Sequence, residues 1–346
     1  MVLVKIMTDV GIEGIGQFIA FSKKSQIKYL HNTLKPLLVN KNPLDIDKLW
    51  NDMYWKGQGK NGWIQTIAAI DIALHDILGK FKGQPLWKIF GAKENRLINL
   101  YWSMGHGYKK TNKEMLQLIE KGRRLGFRAF KIRMDWHEYN QDVNPEKDLR
   151  MAKEVRSYLP ENIPLAFDAN AGYSVDTAIL QGKNLLDLNI SHFEEPIATN
   201  DLYGLKTVVE NTTIPISFGE YEKTSWRFKE VIKISNVDIV QPDILNIGGL
   251  SELKKIYALS NYYKKNILPH SPDVGLLSIA SLHIFNSIDE NFYHEYSDEL
   301  CNHDQNIVQD YFMEPILPTK GQIRLNNKPG LGISINPKLL LNNELK

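Results

Sequence analysis

The stretch that decides the fold is residues 163–196, IPLAFDANAGYSVDTAILQGKNLLDLNISHFEEP. It begins with a short apolar run ending at Asp168, continues in a helical pattern, and returns to an apolar run ending at Glu194. The next run, IPISFGE, ends at Glu220, so three acidic residues follow one another at intervals of 26 residues. A strand, a helix and two loops fit that length. The spacing predicts consecutive βα units with one functional side chain at the C-terminal end of each strand.

The same period extends in both directions. Toward the C terminus, similar segments bring Asp243, His270 and Glu295 to strand ends, at steps of 23, 27 and 25 residues. Toward the N terminus, LINLYWS at 97–103 and FRAFKIR at 127–133 supply the first two of eight strands. Eight alternating strand and helix signals favour a closed parallel barrel over an open doubly wound sheet. The predicted fold class is therefore α/β, a TIM-type (β/α) barrel.

The chain divides near residue 95. Residues 1–95 are predicted to form an N-terminal α+β capping domain, in which two short strands flank a turn at DVG and helices follow. Residues 96–300 are predicted to form the barrel that carries the site. Residues 301–346 include the strand-like, glycine-punctuated GQIRLNNKPGLGISI. We expect this C-terminal segment to return to the cap and complete it, and not to extend the barrel.

Composition indicates an ordinary globular enzyme and excludes several classes of partner. The 346 residues are 43% hydrophobic and 24% charged, with a formal net charge of only +2. Scattered cations at that balance indicate neither nucleic acid nor membrane as a partner, and no apolar run approaches the about 18 residues of a membrane span. The single cysteine, Cys301, excludes an internal disulfide framework and fits a reducing compartment. We expect a cytoplasmic homo-oligomer that binds a small-molecule carboxylate.

The side chains at the strand ends define a candidate site. Asp168, Glu194 and Glu220 are three carboxylates without a cysteine or a clustered set of histidines. Such a hard oxygen site suits Mg²⁺, or Mn²⁺, and is poor for Zn²⁺. Residues two apart on a strand share a face, so Lys131 and Arg133 point the same way and face these carboxylates across the barrel rim.

Neighbouring residues add detail to this site. Asp168 and Asn170 share a face, which makes Asn170 a candidate substrate-binding residue. Glu194 and Glu195 are adjacent and must point oppositely, so Glu195 is expected to support the site or form a salt bridge. His106, just past the first strand, is either a substrate contact or a loop residue. The other histidines considered are expected to be structural: His75, His137, His192, His283 and His294.

In this order and spacing, the motifs resemble the mandelate racemase subgroup of the enolase superfamily. The matching motifs are KIR (131–133), DAN (168–170), FEEP (193–196), FGE (218–220), QPDILNIGG (241–249), the histidine of LPHSP, and Glu295. TDVGIEGIG and AAIDIALHDILGK also resemble that family's capping domain, so the resemblance covers nearly the whole chain. Relatives begin with a further cap strand and a mobile loop before the segment matching VKIMTDVG. We therefore expect either a displaced gene start or a reduced cap.

The resemblance implies a metal site beside an acid/base pair. By this resemblance Asp168, Glu194 and Glu220 would bind Mg²⁺, and Asp243 and His270 would form the acid/base dyad. Asp243, which precedes ILNIGG, also fits a helix N-cap. In the dyad, His270 would act as the base near neutral pH, while Asp243 would fix the tautomer of its ring.

Arg133 decides among the reactions that such a site catalyses. The resemblance implies that Lys131 and Glu295 contact the substrate carboxylate as it becomes an enediolate, and that Arg133 stands where racemases of the subgroup keep a lysine base. A guanidinium has a pKa above about 12 and cannot readily act as a base. One-sided chemistry is favoured: His270 removes the α-proton of a sugar acid, an aldonate, and the β-hydroxyl leaves to give a 2-keto-3-deoxy acid. Arg133 would then bind the carboxylate or a hydroxyl.

Two alternatives remain open. The first is a racemase or epimerase of a 2-hydroxy acid or related carboxylate, which α-proton exchange with inversion would identify. The second is an inactive metal-binding barrel kept as a scaffold or partner-binding paralogue. This second alternative is weakened because every metal and acid/base position is filled.

Overall fold

The computed structural model describes residues 2–19, 22–57, 63–271, 275–287, 293–297, 299 and 311–340. Cys301 lies outside these ranges. None of the helices in the described ranges combines the length and the apolar character that a membrane crossing requires.

The N-terminal part is an antiparallel hairpin packed on a long helix. The hairpin pairs β1 (Val2–Met7) with β2 (Glu13–Phe18). The helices of this part are α1 (Lys23–Tyr29), α2 (Lys35–Leu38), α3 (Ile46–Asn51), α4 (Ile64–Phe81) and α5 (Leu86–Ile89), with π-helical turns at Leu30–Leu34 and Asp52–Lys56. Gly14 and Gly16 lie against the backbone carbonyls of Ala73 and Ala69 in α4, where any side chain would collide. These two glycines let the hairpin pack directly on the helix.

Eight parallel strands form the barrel and follow one another around it in chain order. They are β3 (Ile98–Met104), β4 (Phe130–Arg133), β5 (Leu165–Asp168), β6 (Phe193–Glu194), β7 (Ile216–Phe218), β8 (Ile239–Val240), β9 (Asn266–Ile267) and β10 (His294–Tyr296). The last strand pairs with the first, β10 with β3, while no pairing of β9 with β10 is found among the described residues. The predicted barrel with an N-terminal α+β cap is confirmed.

Helices separate the strands, and several of them begin at side-chain caps. They are α6 (Asn112–Arg124), α7 (Pro145–Tyr158), α8 (Val175–Asp187), α9 (Leu202–Asn211), α10 (Thr224–Ser235), α11 (Ile244–Ile247), α12 (Leu250–Tyr263) and α13 (Leu276–Phe285). Thr111 and Glu114 form a capping box at the start of α6, and Asn144, followed by a proline, caps α7. Side-chain caps of this kind satisfy N–H groups that the first helical turn leaves without partners.

The C-terminal segment contacts both parts of the molecule. Leu86 N–H donates to the Gly330 carbonyl at 3.0 Å, and Leu331 N–H donates to Asp76 Oδ1 at 2.9 Å, so the segment does return to the cap. Before that, β11 (Gln322–Ile323) pairs antiparallel with the start of β3. This pairing is antiparallel and lies off the path of the eight parallel strands, so β11 is not a further barrel strand, as expected. A short helix, α14 (Pro337–Leu340), follows.

Candidate active site

The inward-facing side chains meet at the C-terminal ends of the strands. Successive strand residues alternate between the two faces of the sheet, so Phe167 points outward and Asp168 inward. Arg133 on β4 pairs in register with Asp168 on β5, which pairs with Glu194 on β6. Glu220 follows the end of β7 by two residues. The three carboxylates offer one oxygen each within 4.8 Å of one another. The 26-residue period therefore places them together.

A buried lysine neutralises part of this charge. Lys131 Nζ lies 2.7 Å from Glu194 Oε1 and 3.0 Å from Glu295 Oε1. Asp168 Oδ2 is 3.9 Å from the same nitrogen. Gln241 Nε2 donates to the other oxygen of Glu194 at 2.6 Å. Burial alone would raise the pKa of Glu194, but Lys131 outweighs burial and holds that pKa well below its usual range.

The other carboxylates of this cluster repel one another. Burial raises the pKa of Asp168 well above its ordinary value, and the charge of Glu194 raises it further. The same two causes raise the pKa of Glu220 above its ordinary value. Glu195 is buried with a φ of 36°, and neither of its oxygens has a hydrogen-bond partner in the described part of the chain. Of the two roles expected for Glu195, the salt bridge is not found there, and support of the site stays a prediction. We refer to Lys131, Asp168, Glu194 and Glu220 as the carboxylate end.

The predicted dyad is assembled beside the carboxylate end. His270 Nδ1 lies 2.9 Å from Asp243 Oδ2, and its Nε2 lies 3.2 Å from Glu220 Oε2. Asp243 Oδ1 also accepts from the backbone N–H groups of Leu245 and Asn246, so Asp243 caps α11 as well as orienting His270. Burial alone would lower the pKa of His270, but Glu220 and Asp243 outweigh it and raise the pKa to about 10.

Arg133 is bound to a glutamate that the sequence did not reveal. Arg133 Nη2 donates to Glu299 Oε2, and Glu299 Oε1 accepts from the Gly105 N–H at 2.7 Å. Burial alone would lower the pKa of Arg133, but Asp135 and Glu299 outweigh it and raise the pKa still further above its ordinary high value. Arg133 therefore carries a permanent charge. Its Nε is buried without a hydrogen-bond partner among the described residues.

A second histidine–aspartate pair lies in the loops after β3 and β4. The His106 backbone N–H donates to Asp135 Oδ2, and His106 Nδ1 lies 3.4 Å from the same oxygen. Asn170 Oδ1 accepts from the Asp135 N–H at 2.7 Å, while Asn170 Nδ2 donates to Asp168 Oδ2 at 3.0 Å. Asn170 thus joins this pair to the carboxylate end.

These groups open into one cavity of about 740 Å³. One side of the cavity is formed by Glu220, Tyr221 and His270. The side formed by the loops after β3 and β4, here called the loop wall, comprises His106, Tyr108, Asp135, Trp136, His137 and Tyr139. Arg133, Asn170 and Glu299 also line the cavity. Five of the ten predicted site residues line this cavity: His106, Arg133, Asn170, Glu220 and His270. The other five contact these or one another: Lys131, Asp168, Glu194, Asp243 and Glu295.

The histidines expected to be structural divide into two groups. His75, His283 and His294 are buried and hydrogen-bonded within the fold. His137 lies in the loop after β4 and lines the cavity, so its expected place on a helix face or an outer strand is wrong, while its structural role stays a prediction. His192 Nε2 lies 3.8 Å from Glu194 Oε2, which places it behind the carboxylate end.

Comparison with known proteins identifies the family. Residues 114–339 match the enolase C-terminal domain-like family, and residues 1–91 match the N-terminal domain of mandelate racemase and muconate lactonizing enzyme. The chain belongs to the enolase superfamily. The first match covers most of the barrel, and the second covers the N-terminal hairpin with α4.

Relatives of this superfamily member include sugar-acid enzymes. It is 29% identical to the arabinonate dehydratase of Saccharolobus solfataricus, over 97% of this chain and 88% of that protein. It is 28% identical to the D-galactarolactone cycloisomerase of Agrobacterium fabrum, over 97% and 89%. A mandelate racemase/muconate lactonizing protein from Paracoccus denitrificans, solved in complex with magnesium, superposes with a TM-score of 0.91. That structure is 28% identical, with 98% of this chain and 92% of the other covered.

Proposed function

We propose that this enolase-superfamily member is a Mg²⁺-dependent dehydratase of a sugar acid, an aldonate. The reaction removes the proton α to the carboxylate and eliminates the β-hydroxyl, and the resulting enol becomes a 2-keto-3-deoxy acid. Relatives named as dehydratases of sugar acids support the class of reaction. The residues of the cavity support abstraction of the α-proton from one face only, followed by elimination.

The carboxylate end fits a divalent cation. Five buried carboxylates, Asp168, Glu194, Glu195, Glu220 and Glu295, surround one buried lysine, so negative charge is in excess. Oxygen ligands at this spacing suit Mg²⁺. We assign Asp168, Glu194 and Glu220 as its ligands. When bound, Mg²⁺ supplies positive charge beside the substrate carboxylate, where negative charge develops as the α-proton leaves.

His270 is assigned as the base and Asp243 as the residue that orients it. Asp243 holds Nδ1, so Nε2 is the nitrogen that faces the cavity and takes the α-proton. The pKa of about 10 reflects a negative neighbour at Glu220. Offsetting that charge lowers the pKa toward the neutral range in which a base is effective.

Lys131 and Glu295 are assigned to the substrate carboxylate. Lys131 outweighs burial and lowers the pKa of Glu295 to about 2, so in this arrangement Glu295 is an ion-pair partner. The role as a hydrogen-bond donor to the enediolate, implied by the family resemblance, requires a proton to reach Glu295. A substrate carboxylate that takes over Lys131 would favour that protonation, since it removes the charge that holds Glu295 ionised.

The observation that carries the proposal is the Arg133–Glu299 ion pair. Racemisation needs a base on each face of the α-carbon, and by the family resemblance Arg133 stands where a racemase would keep its second base. Asp135 and Glu299 keep Arg133 charged. Proton abstraction is then one-sided, and the negative charge left on the substrate is discharged by loss of the β-hydroxyl.

A library of aldonates and aldarates incubated with the Mg²⁺-loaded protein tests the proposal. We expect formation of a 2-keto acid from at least one aldonate, detected through its carbonyl, and loss of that activity with a chelator. Clean α-epimers without any 2-keto acid would replace the dehydratase with an epimerase. No reaction with any member of the library would favour the inactive paralogue.

One observation favours the racemase or epimerase as the second candidate. The His106–Asp135 pair lines the same cavity as His270–Asp243 and is a second imidazole held by a carboxylate. If it served as a base on the opposite face, deuterium from D₂O would enter the α-position with inversion.

A further inference from the structure

The proposed dehydration needs an acid at the leaving oxygen as well as a base at the α-carbon. Hydroxide leaves poorly because its conjugate acid, water, has a pKa of about 15.7. An acid positioned at that oxygen is typically worth about 10²–10⁴ in rate. His270 receives the α-proton, so either His270 acts twice or another group delivers the second proton.

The described cavity lining offers few acids for this step. Arg133 is too basic, and Glu299 is engaged by Arg133 and the Gly105 N–H. Tyr221 carries a phenol, which is ordinarily a weaker acid than an imidazolium. Within the described lining, His106 is the histidine besides His270 that has a carboxylate beside its Nδ1.

We propose that His106 is the general acid that protonates the departing β-hydroxyl, and that Asp135 is its positioning residue. This inference rests on the dehydratase proposed above. Asp135 lies beside Nδ1, which leaves Nε2 of the ring to face the cavity. The arrangement repeats that of His270, whose Nδ1 is likewise held by an aspartate. The cavity thus has two histidine–aspartate pairs for two proton transfers.

The backbone that carries this pair is held in an unfavourable conformation. His106 has a φ of 63° and Asp135 a φ of 58°, in the left-handed region that side chains other than glycine rarely adopt. Three contacts hold it there. Gly105 N–H donates to Glu299, Lys110 Nζ donates to the Gly105 carbonyl at 2.8 Å, and Asp135 N–H donates to Asn170. Such a backbone, fixed from several sides, is a feature of functional sites.

The exposure of His106 suits a group that must regain its proton in every cycle. Its side chain is 46% exposed, whereas that of His270 is only 14% exposed. Solvent can therefore protonate His106 again after each turnover. His270 can hold the abstracted proton away from bulk water.

The two transfers balance. The C–H bond at the α-carbon breaks, the proton passes to His270 Nε2, and the electron pair forms the enediolate. As that pair moves to form the Cα–Cβ double bond, the Cβ–O bond breaks and His106 Nε2 gives its proton to the oxygen. Water leaves, and the enol product becomes the 2-keto-3-deoxy acid. His270 is left protonated and His106 neutral, and exchange with solvent restores both.

A fluorinated substrate separates the acid from the base. The probes are the aldonate that the wild-type protein dehydrates fastest and its 3-deoxy-3-fluoro counterpart, because fluoride leaves as an anion without needing a proton. For His106→Asn, we expect kcat to fall about 10²–10⁴-fold with the hydroxyl substrate and to stay within about threefold with the fluoro substrate. His137→Asn, at another histidine of the loop wall, should change both rates by the same factor.

Asp135 is tested by the same pair of substrates. Asp135→Asn should lower kcat for hydroxide loss, leave KM within about threefold of the wild-type value, and leave the rate of fluoride loss unchanged. Asp135→Glu should restore part of the rate of hydroxide loss. A merely structural role would lower both reactions alike in the Asn variant.

Other results would overturn the inference in distinguishable ways. If His106→Asn slowed hydroxide loss and fluoride loss equally, His106 would be a binding or structural residue. If the variant kept both rates, His270 would serve as both the base and the acid. Loss of α-deuterium exchange on one face only would make His106 a second base and the protein an epimerase. Wild-type protein that forms no 2-keto acid from any sugar acid would reject the proposed function itself, and the acid role with it.

Discussion

The carboxylate end and the loop wall form two sides of one cavity and are built in different ways. At the carboxylate end, Lys131, Asp168 and Glu194 lie on strands, and the register of neighbouring strands sets their spacing. In the loop wall, His106, Asp135 and His137 have left-handed backbones in loops. The first arrangement is fixed by the sheet and the second by hydrogen bonds between loops. A change in the loop wall therefore leaves the strand register that spaces the carboxylate end intact.

The largest effect is expected from breaking the carboxylate end. Glu220→Gln removes one proposed ligand and leaves a bound cation with too little negative charge, so activity should fall by about 10³-fold or more. Affinity for Mg²⁺, measured by calorimetry, should fall with it, while the circular dichroism spectrum stays that of the wild type. Glu210→Gln, at an exposed glutamate of α9, is the matched control and should change neither quantity. Full, chelator-sensitive turnover in Glu220→Gln would contradict the assignment.

The next effect separates the two histidine–aspartate pairs. His270→Asn should eliminate exchange of the substrate α-proton with D₂O, because the base is lost. Asp243→Asn should cost about 10²–10⁴-fold in the rate of exchange, since the ring of His270 is no longer oriented. Proton NMR of the substrate in D₂O measures both. Exchange at the wild-type rate in His270→Asn would require a different base.

The carboxylate end could be predicted from the sequence because its structure is periodic. Each strand is a short apolar run, the acidic residue closes the run, and the 26-residue interval recurs. Alternation on β4 predicted that Lys131 and Arg133 share a face. Alternation ends at Arg133, the last residue of β4, and the left-handed backbones of Asp135 and His137 beyond it mean that alternation does not predict their place beside the cavity.

The loop wall could not be derived in the same way. Glu299 lies three residues beyond the end of β10, in a segment without a periodic pattern. Its contact with Arg133 depends on how the segment after β10 approaches the end of β4 and the loop after β3. The left-handed backbone of His106 follows from contacts made by residues distant in sequence. Neither feature has a local sequence signal, because both arise from tertiary contacts.

A smaller effect is expected from releasing Arg133 in the mouth of the cavity. Glu299→Gln removes the anion that binds Arg133 and weakens the contact to Gly105, so kcat/KM should fall about tenfold. Affinity for Mg²⁺ should stay within about twofold, because Glu299 makes no contact with the carboxylate end. Calorimetry and steady-state kinetics on the same preparation measure the two quantities. A parallel loss of Mg²⁺ affinity would show that the two sides of the cavity are not independent.

The smallest effect concerns stability beneath the loop wall, where a buried carboxylate supports Trp136. Asp148 Oδ2 accepts from Trp136 Nε1 and from the Tyr173 hydroxyl, each at 2.8 Å. Despite these hydrogen bonds, burial raises the pKa of Asp148 to about 6. In the unfolded chain the pKa is about 3.9. The folded state therefore binds the proton of Asp148 more tightly than the unfolded state does. The resulting stabilisation is complete below about pH 4 and is lost as the pH rises through about 6.

Asp148→Asn keeps an oxygen that can accept both hydrogen bonds and removes the buried charge. At pH 7.5 the variant should be more stable than the wild type by up to about 2 kcal/mol. This net figure already subtracts about 0.5–1 kcal/mol for the lost interaction of the Asp148 charge with the start of α7. The advantage should shrink toward zero as the pH falls to about 4, and urea unfolding at pH 4.5, 6 and 7.5 measures it. Asp176→Asn, at an exposed aspartate in the first turn of α8, is the control and should show only the helix-end loss. If the stability gained by Asp148→Asn grew as the pH fell, Asp148 would be stabilised as an anion in the folded protein. The residues beneath the loop wall would then be held by a charged group, as those of the carboxylate end are.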